Sequence, residues 1–285
     1  MRLILFFAIS FFYIPIKAQD QLLSLIDLDD SEHITSTFKG AKIVNGQSVE
    51  FTSDGVLHFE IQHRFGTLNS GFYNLFGLDN SQIRLGFVYG LKDWLNLGIG
   101  RSSLIKTIDL SAKVRLKKQT KGINSFPFTI ATNSSMFIKQ FRSSDIKEES
   151  FLLSNQLIYS HQLLVACKIS RGFSFQISPT FLHYNLVENT EVNDRISLGF
   201  GARKKLNNRV SVNGEYFMQN KNDIYRNVLS FGFDIETGGH VFQLHLSNSS
   251  GMIEPSFIHN TNGNWLYGDI YFGFNISRVF TIREN

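Results

Sequence analysis

The chain has 285 residues, a formal charge of +4 and one cysteine, Cys167. That lone cysteine excludes an internal disulfide, no zinc-ligand spacing surrounds it, and scattered Lys and Arg leave no nucleic-acid footprint. The 28 Phe and 22 Gly, set against 4 Pro and 18% charged residues, point to many short strands with one very apolar face.

The first residues, MRLILFFAISFFYIPIKA, place a basic residue at Arg2, an apolar run from Leu3 to Ile16 and a small residue at Ala18. This predicts a secretory signal, residues 1–18, cleaved after Ala18. The run is shorter than the roughly 20 residues a spanning helix needs. Residues 19–54 follow as an expected periplasmic lead-in. Within them, 36–44 reads as an extra strand or as part of the lead-in, and even strand parity places it outside the wall.

From residue 55 onward, apolar residues alternate with small or polar ones, the period-2 mark of strands with two different faces. Twelve segments carry it: 55–65, 81–90, 93–101, 105–117, 126–138, 151–169, 173–184, 194–203, 208–217, 227–236, 240–248 and 265–277. Most have the length of a tilted membrane strand, and twelve is even, as a single-chain bacterial barrel requires. In 227–236, for example, Leu229, Phe231, Phe233 and Ile235 alternate with Ser230, Gly232 and Asp234. The second face mixes Gly, Ser, Asn and Gln with charges of both signs, which suits a narrow closed interior better than a solvated sandwich face.

The links alternate in length. With the C-terminus taken as periplasmic, external loops fall at 66–80, 102–104, 139–150, 185–193, 218–226 and 249–264, most of them long. The opposite turns at 91–92, 170–172, 204–207 and 237–239 are short, with 118–125 the exception. Short periplasmic turns and longer external loops are the pattern of membrane barrels. Tyr89, Trp94, Tyr159, Tyr216, Trp265 and Tyr267 sit near strand ends, at headgroup level. Phe280 closes the last aromatic-rich strand, similar to the C-terminal assembly signal of such barrels.

The stretch His58 to Gly66, HFEIQHRFG, has the polar density of an active site. Period 2 separates it: Leu57, Phe59, Ile61, His63 and Phe65 face one way, and His58, Glu60, Gln62 and Arg64 the other. The two histidines cannot form one site, whereas Glu60 and Arg64 are placed for an ion pair or network inside a barrel. The same parity assigns Arg84, Asp109, Lys113, Arg115, Arg203, Glu215, Asp234 and Asp269 to a lumen network, with Arg195 and His245 beside them. Mixed charges in a narrow interior neutralise one another, because an isolated buried charge is costly. Ser154, Ser160 and His161 are the nearest approach to a nucleophile and base, but neighbouring strand residues face opposite ways, so no enzyme is expected. No cofactor or metal motif is present.

HRFG (63–66), FGLDN (76–80), IRLGFVYG (83–90), GIGRSS (98–103) and FGFNISRVF (272–280) together resemble an uncharacterised β-barrel family of Bacteroidota, a domain of unknown function. The resemblance spans nearly all of the chain after residue 18, implies a barrel-like membrane protein and carries over no catalytic residue. The expected protein is therefore all-β: an antiparallel transmembrane β-barrel of about twelve strands (55–285) in the outer membrane of a Gram-negative bacterium. Its expected partners are outer-membrane lipid, the barrel-assembly machinery and a small solute, with passage of that solute or an accessory envelope role as its work. The alternative is a soluble periplasmic barrel or sandwich binding an apolar ligand such as a lipid.

Overall fold

The computed structural model describes residues 32–122, 124–141, 152–188, 191–219, 225–238 and 240–283. The expected signal peptide and its cleavage site lie outside these residues.

Twelve antiparallel strands form a closed barrel. They are β2 (Val56–Thr67), β3 (Ser81–Lys92), β4 (Leu95–Ser102), β5 (Thr107–Lys117), β7 (Thr129–Lys139), β8 (Leu157–Ser170), β9 (Phe173–Tyr184), β10 (Asp194–Lys205), β11 (Val210–Gln219), β12 (Val228–Thr237), β13 (His240–Ser247) and β14 (Tyr271–Thr281). Two short strands, β1 (Glu32–His33) and β6 (Thr120–Lys121), pair with each other outside the ring. Each wall strand pairs with its sequence neighbours, and β14 closes on β2 with Phe274 opposite His63 and Ile276 opposite Ile61. Closure leaves no free edge, which backbone in lipid requires.

The alternation read from the sequence sets the two faces. On β2, His58, Glu60, Gln62 and Arg64 are buried inside. On β12, Ser230 and Asp234 point inward while Phe231 and Phe233 stand about half exposed outside. Ile83, Leu85, Phe87, Leu97, Ile99 and Leu244 continue that outer apolar belt. A polar interior inside an apolar exterior is the inverse of a water-soluble fold and fits a lipid-facing wall.

Two boundaries differ from expectation. The last strand begins at Tyr271 rather than 265, because the Asn264 side chain accepts the Leu266 N–H and Trp265–Tyr267 form a short turn ending at Gly268 (φ 78°). The sixth wall strand, β8, begins at Leu157 rather than 151, after a turn over Leu153–Gln156. Residues 19–54 were expected to lie in the periplasm. Of their described part, Thr37 to Thr52 is largely buried within the ring instead, folded back on itself at the bridge between Lys42 and Gln47. It is outside the wall, as parity requires, yet inside the barrel.

Candidate functional site

The lumen is filled from both ends. From the end with the short turns comes the segment around residues 35–52, here called the plug. Ile34 N–H bonds Gln119 O at the entrance. Further in, the side chains of the wall bind the plug backbone. Lys168 Nζ donates to Thr35 O (2.8 Å), Arg203 Nη1 to Thr37 O (3.3 Å) and Lys113 Nζ to Glu50 O (3.0 Å). Gln243 and Asn213 both donate to Ile43 O (2.5 and 3.4 Å), Asn275 to Val44 O (3.1 Å) and Gln176 to Gln47 O (2.7 Å). At the tip, the Glu215 carboxylate accepts three successive N–H groups, from Val44, Asn45 and Gly46, at 2.8–3.1 Å. Such a row of N–H groups is a natural seat for an anion.

The plug also uses side chains. Asn45 accepts from Arg64 Nη2 at 2.6 Å and donates to Ser230 Oγ at 3.1 Å, while Lys39 pairs with Glu236. Its apolar residues Phe38, Ile43 and Val49 pack on Ala131, Leu164 and Ala166 of β7 and β8. Gly201 on β10 makes room for Ile43: a Cβ there would strike its Cδ1. Burial, with the Arg84 cation second, lowers the Lys42 pKa from its ordinary value.

From the opposite end the loop after β13 folds inward. Met252, Phe257 and Ile258 are fully or almost fully buried, and the Phe257 ring lies 5.0 Å from that of Phe217. The two insertions touch: Lys42 Nζ donates to Met252 O (3.3 Å) and Gln47 Nε2 to Glu254 Oε1 (3.2 Å). His259 in this loop sits between the rings of Tyr225 (4.5 Å) and Tyr184 (5.3 Å), with the Asn260 side chain beside it. Burial first, and the Arg195 cation second, bring its pKa down to about 4.

What space remains is divided. A cavity of about 360 Å³ lies at the short-turn end between the plug and β2, β12, β13 and β14, lined among others by Lys39, His58, Glu236, His240 and Ser277. Near the centre only about 30 Å³ is left, beside Lys42, Glu60 and Arg84.

The expected lumen network is brought together in part. Glu60, Arg64, Arg84, Asp109, Lys113, Arg203, Glu215 and Asp234 are all inside and buried. Arg84 is the hub of one cluster: it meets Asp109 through Nε (3.0 Å) and Nη2 (2.5 Å), and Glu60 through Nη1 (3.4 Å). Gly100 faces this pair, and a Cβ there would run into the guanidinium and the carboxylate. Arg203 and Asp234 are joined through Ser211 Oγ (3.1 and 3.3 Å).

Three placements differ. Glu60 pairs with Arg84, not Arg64; Arg64 instead reaches Asn45 and Asn275, because the guanidinium is drawn toward the plug. Arg115 sits at the short-turn rim, donating to Asp93 O (2.6 Å) and lying over the Phe51 ring. Asp269 is not in the lumen: it belongs to the outer loops, accepting from Asn264 N–H and Asn69 Nδ2, a consequence of the late start of β14. Of the two residues beside the network, His245 is inside and Arg195 lies at the outer mouth, paired with Glu191 at 3.0 Å. Ser160 is buried inward and His161 points outward to Ser134, so the two face opposite ways.

Reading by charge passed over the neutral amides Gln176, Asn213, Gln243 and Asn275, which do much of the binding. Their inward parity was the available signal. The plug tip itself has no periodic pattern to find.

The sequence matches the family described as membrane bound beta barrel domain (DUF5777) over residues 38–280. The chain belongs to this family. The matched region begins inside the plug and runs through the wall to β14. A comparison with curated proteins finds no match. Among solved structures the barrel is similar to the NanC porin (TM-score 0.49, 9% identity, 79% of this chain and 98% of the porin). It is also similar to the KdgM porin (0.48, 9%, 79% and 99%) and to LpxR from Salmonella typhimurium (0.36, 11%, 79% and 99%). At this level of similarity the three carry no argument about substrate or activity. Membership in a membrane-bound family, with the apolar outer belt, removes support from the soluble, lipid-binding alternative.

Proposed function

We propose that this protein is an outer-membrane conduit for small polar solutes, held shut at rest by its own N-terminal segment and opened when that segment is displaced. One observation carries the reading: the segment that fills the lumen from the short-turn end is no part of the wall. The ring closes through twelve strands without it, and the wall holds it through polar groups that water can also satisfy. An intramolecular hydrogen bond exchanged for one to water changes the free energy by only about 1 kcal/mol, so these contacts can be given up one at a time. On this reading outer-membrane lipid meets the apolar belt, and the barrel-assembly machinery inserts the ring. The reading contains no catalytic step.

Planar-bilayer recording tests it. Wild-type protein is expected to insert with rare, brief openings, and a variant lacking residues 36–50 to conduct continuously. A deletion variant that inserts fully and stays silent refutes the proposal.

An accessory envelope role is the second reading, favoured by one surface. Phe72, Tyr73, Leu266 and Tyr267 stand 75–94% exposed on two outer loops tied together by Asn69. An exposed aromatic patch of this kind is a contact surface. Under this reading the barrel is silent in both forms.

A further inference from the structure

The contacts between wall and plug have a common character. Apart from those of Lys39, Lys42, Asn45 and Gln47, the hydrogen bonds holding the plug run to its peptide groups rather than to its side chains. Gln176, Gln243, Asn213, Asn275 and Lys113 point donors at plug carbonyls, and Glu215 points an acceptor at three plug N–H groups. These residues come from five different wall strands, so the arrangement belongs to the barrel and not to local folding of the segment.

Recognition through the main chain is tolerant of sequence, because every residue other than proline offers the same N–H and C=O. Side-chain room is supplied on one side by Gly201 and the small Ala131 and Ala166. Two further features favour a guest that exchanges. Donors and acceptors in the lumen remain unused with the plug in place: Gln62 Nε2, Arg64 Nε and both nitrogens of His245 have no partner. The plug is also joined to β2 only through the short link that ends at Gly55, beside the 360 Å³ cavity.

We propose that the lumen is a polypeptide-binding site, and that the solute admitted when the plug leaves is a peptide, taken up by the same side chains that hold the plug backbone. This rests on the conduit reading and names its substrate class. Lys113 and Gln243 would then bind carbonyls of the incoming chain and Glu215 its N–H groups.

The test keeps the full chain. A protease recognition sequence is inserted between the exposed Ser53 and the half-buried Asp54, the protein is folded with its plug, reconstituted, cut and washed. The emptied barrel is then exposed to a synthetic peptide of residues 34–53, to scrambled peptides of the same composition, and to a neutral oligosaccharide of equal length.

Cutting and washing are expected to open the conductance. The 34–53 peptide should block it, the scrambled peptides should block within about tenfold of the same concentration, and the oligosaccharide should not. Block by the 34–53 peptide alone overturns the proposal, since the lumen would then read sequence. Equal block by the oligosaccharide overturns it as well, as does a cut segment that never leaves on washing. Silence of a demonstrably emptied barrel instead refutes the conduit reading. As an independent readout, Glu215→Gln should weaken binding of labelled scrambled and native peptides by a similar factor, whereas a purely structural role for Glu215 would leave both unchanged.

Discussion

Glu215→Gln is the sharpest perturbation of the closed state, because it keeps the shape of the side chain and changes only what it can accept. In the wild type, Val44 and Gly46 donate to Oε2 at 3.1 and 3.0 Å and Asn45 donates to Oε1 at 2.8 Å. The amide of glutamine can offer its one oxygen to the first two. Losing charge assistance weakens each of these by about 1 kcal/mol. Its NH2 then faces the Asn45 N–H, donor against donor, at a cost of about 2 kcal/mol for a buried group left unpaired. Removing a charge from the lumen relieves about 1–2 kcal/mol of desolvation. The closed state should therefore lose about 2–3 kcal/mol relative to the open one, a shift of roughly 30–100-fold in the closed-to-open ratio at 1.4 kcal/mol per factor of ten. The assay is the open fraction in planar bilayers, with heat-modifiable gel mobility confirming that the wall is intact. An open fraction within twofold of wild type, in a correctly folded barrel, would show that the carboxylate does not hold the plug.

Other perturbations address the wall and the outer loop. Arg84→Met leaves Asp109 and Glu60 buried without their cation, and breaking a buried pair in this way costs about 3–5 kcal/mol; the temperature at which the barrel unfolds on gels should fall, and an unchanged value would dissolve the hub. Phe231→Arg places a charge on the outward face of β12, where about 2–4 kcal/mol is expected near the bilayer midplane; normal insertion would mean that this face does not meet lipid. The outer loop should respond to acid. His259 faces Arg195, Asn260, Tyr184 and Tyr225, and its pKa is depressed from 6.5 to about 4. The inward pose takes up a proton less readily than the released loop, so its stability is complete above pH 6.5 and is lost as pH falls from 6.5 toward 4. Proteolysis of the loop should rise over that window in wild type and stay flat in His259→Asn; equal profiles would exclude His259 as the cause.

The wall was legible because its information is local. A period-2 strand declares its two faces within about ten residues, so β2, β9 and β12 could be read almost to their ends, and parity alone placed Glu60, Arg84, Asp109, Glu215 and Asp234 inside. The strand that starts late, β14, was misjudged because Trp265 to Tyr267 extend the aromatic run while a turn governed by Asn264 and Gly268 interrupts the strand. Asp269 was misplaced with it. The plug was illegible for a different reason. Its hydrogen-bond partners come from β2, β5, β8, β9, β10, β11, β12, β13 and β14, separated by up to 231 residues, and most of the bonds involve backbone groups that leave no trace in side-chain type. The expected Glu60–Arg64 pair failed on the same point: each side chain found a partner, Arg84 or Asn45, on another segment.

The placement of the plug's two kinds of contact has a mechanical consequence. Its apolar residues Phe38, Ile43 and Val49 are gathered against Ala131, Leu164 and Ala166, all on β7 and β8. The Arg64, Glu215, Gln243 and Asn275 contacts lie on the other side, on β2, β11, β13 and β14. Water replaces the second set at small cost per bond but cannot replace the first without re-exposing apolar surface at about 25 cal/mol per Å². Lys113, Lys168 and Gln176 add polar contacts beside the apolar cluster, so on the conduit reading the side held by polar contacts alone is the one expected to yield first, and it borders the existing 360 Å³ cavity, which is walled by β2, β12, β13 and β14. Release that begins there widens a space already present, while β7 and β8 keep the segment within reach for closure.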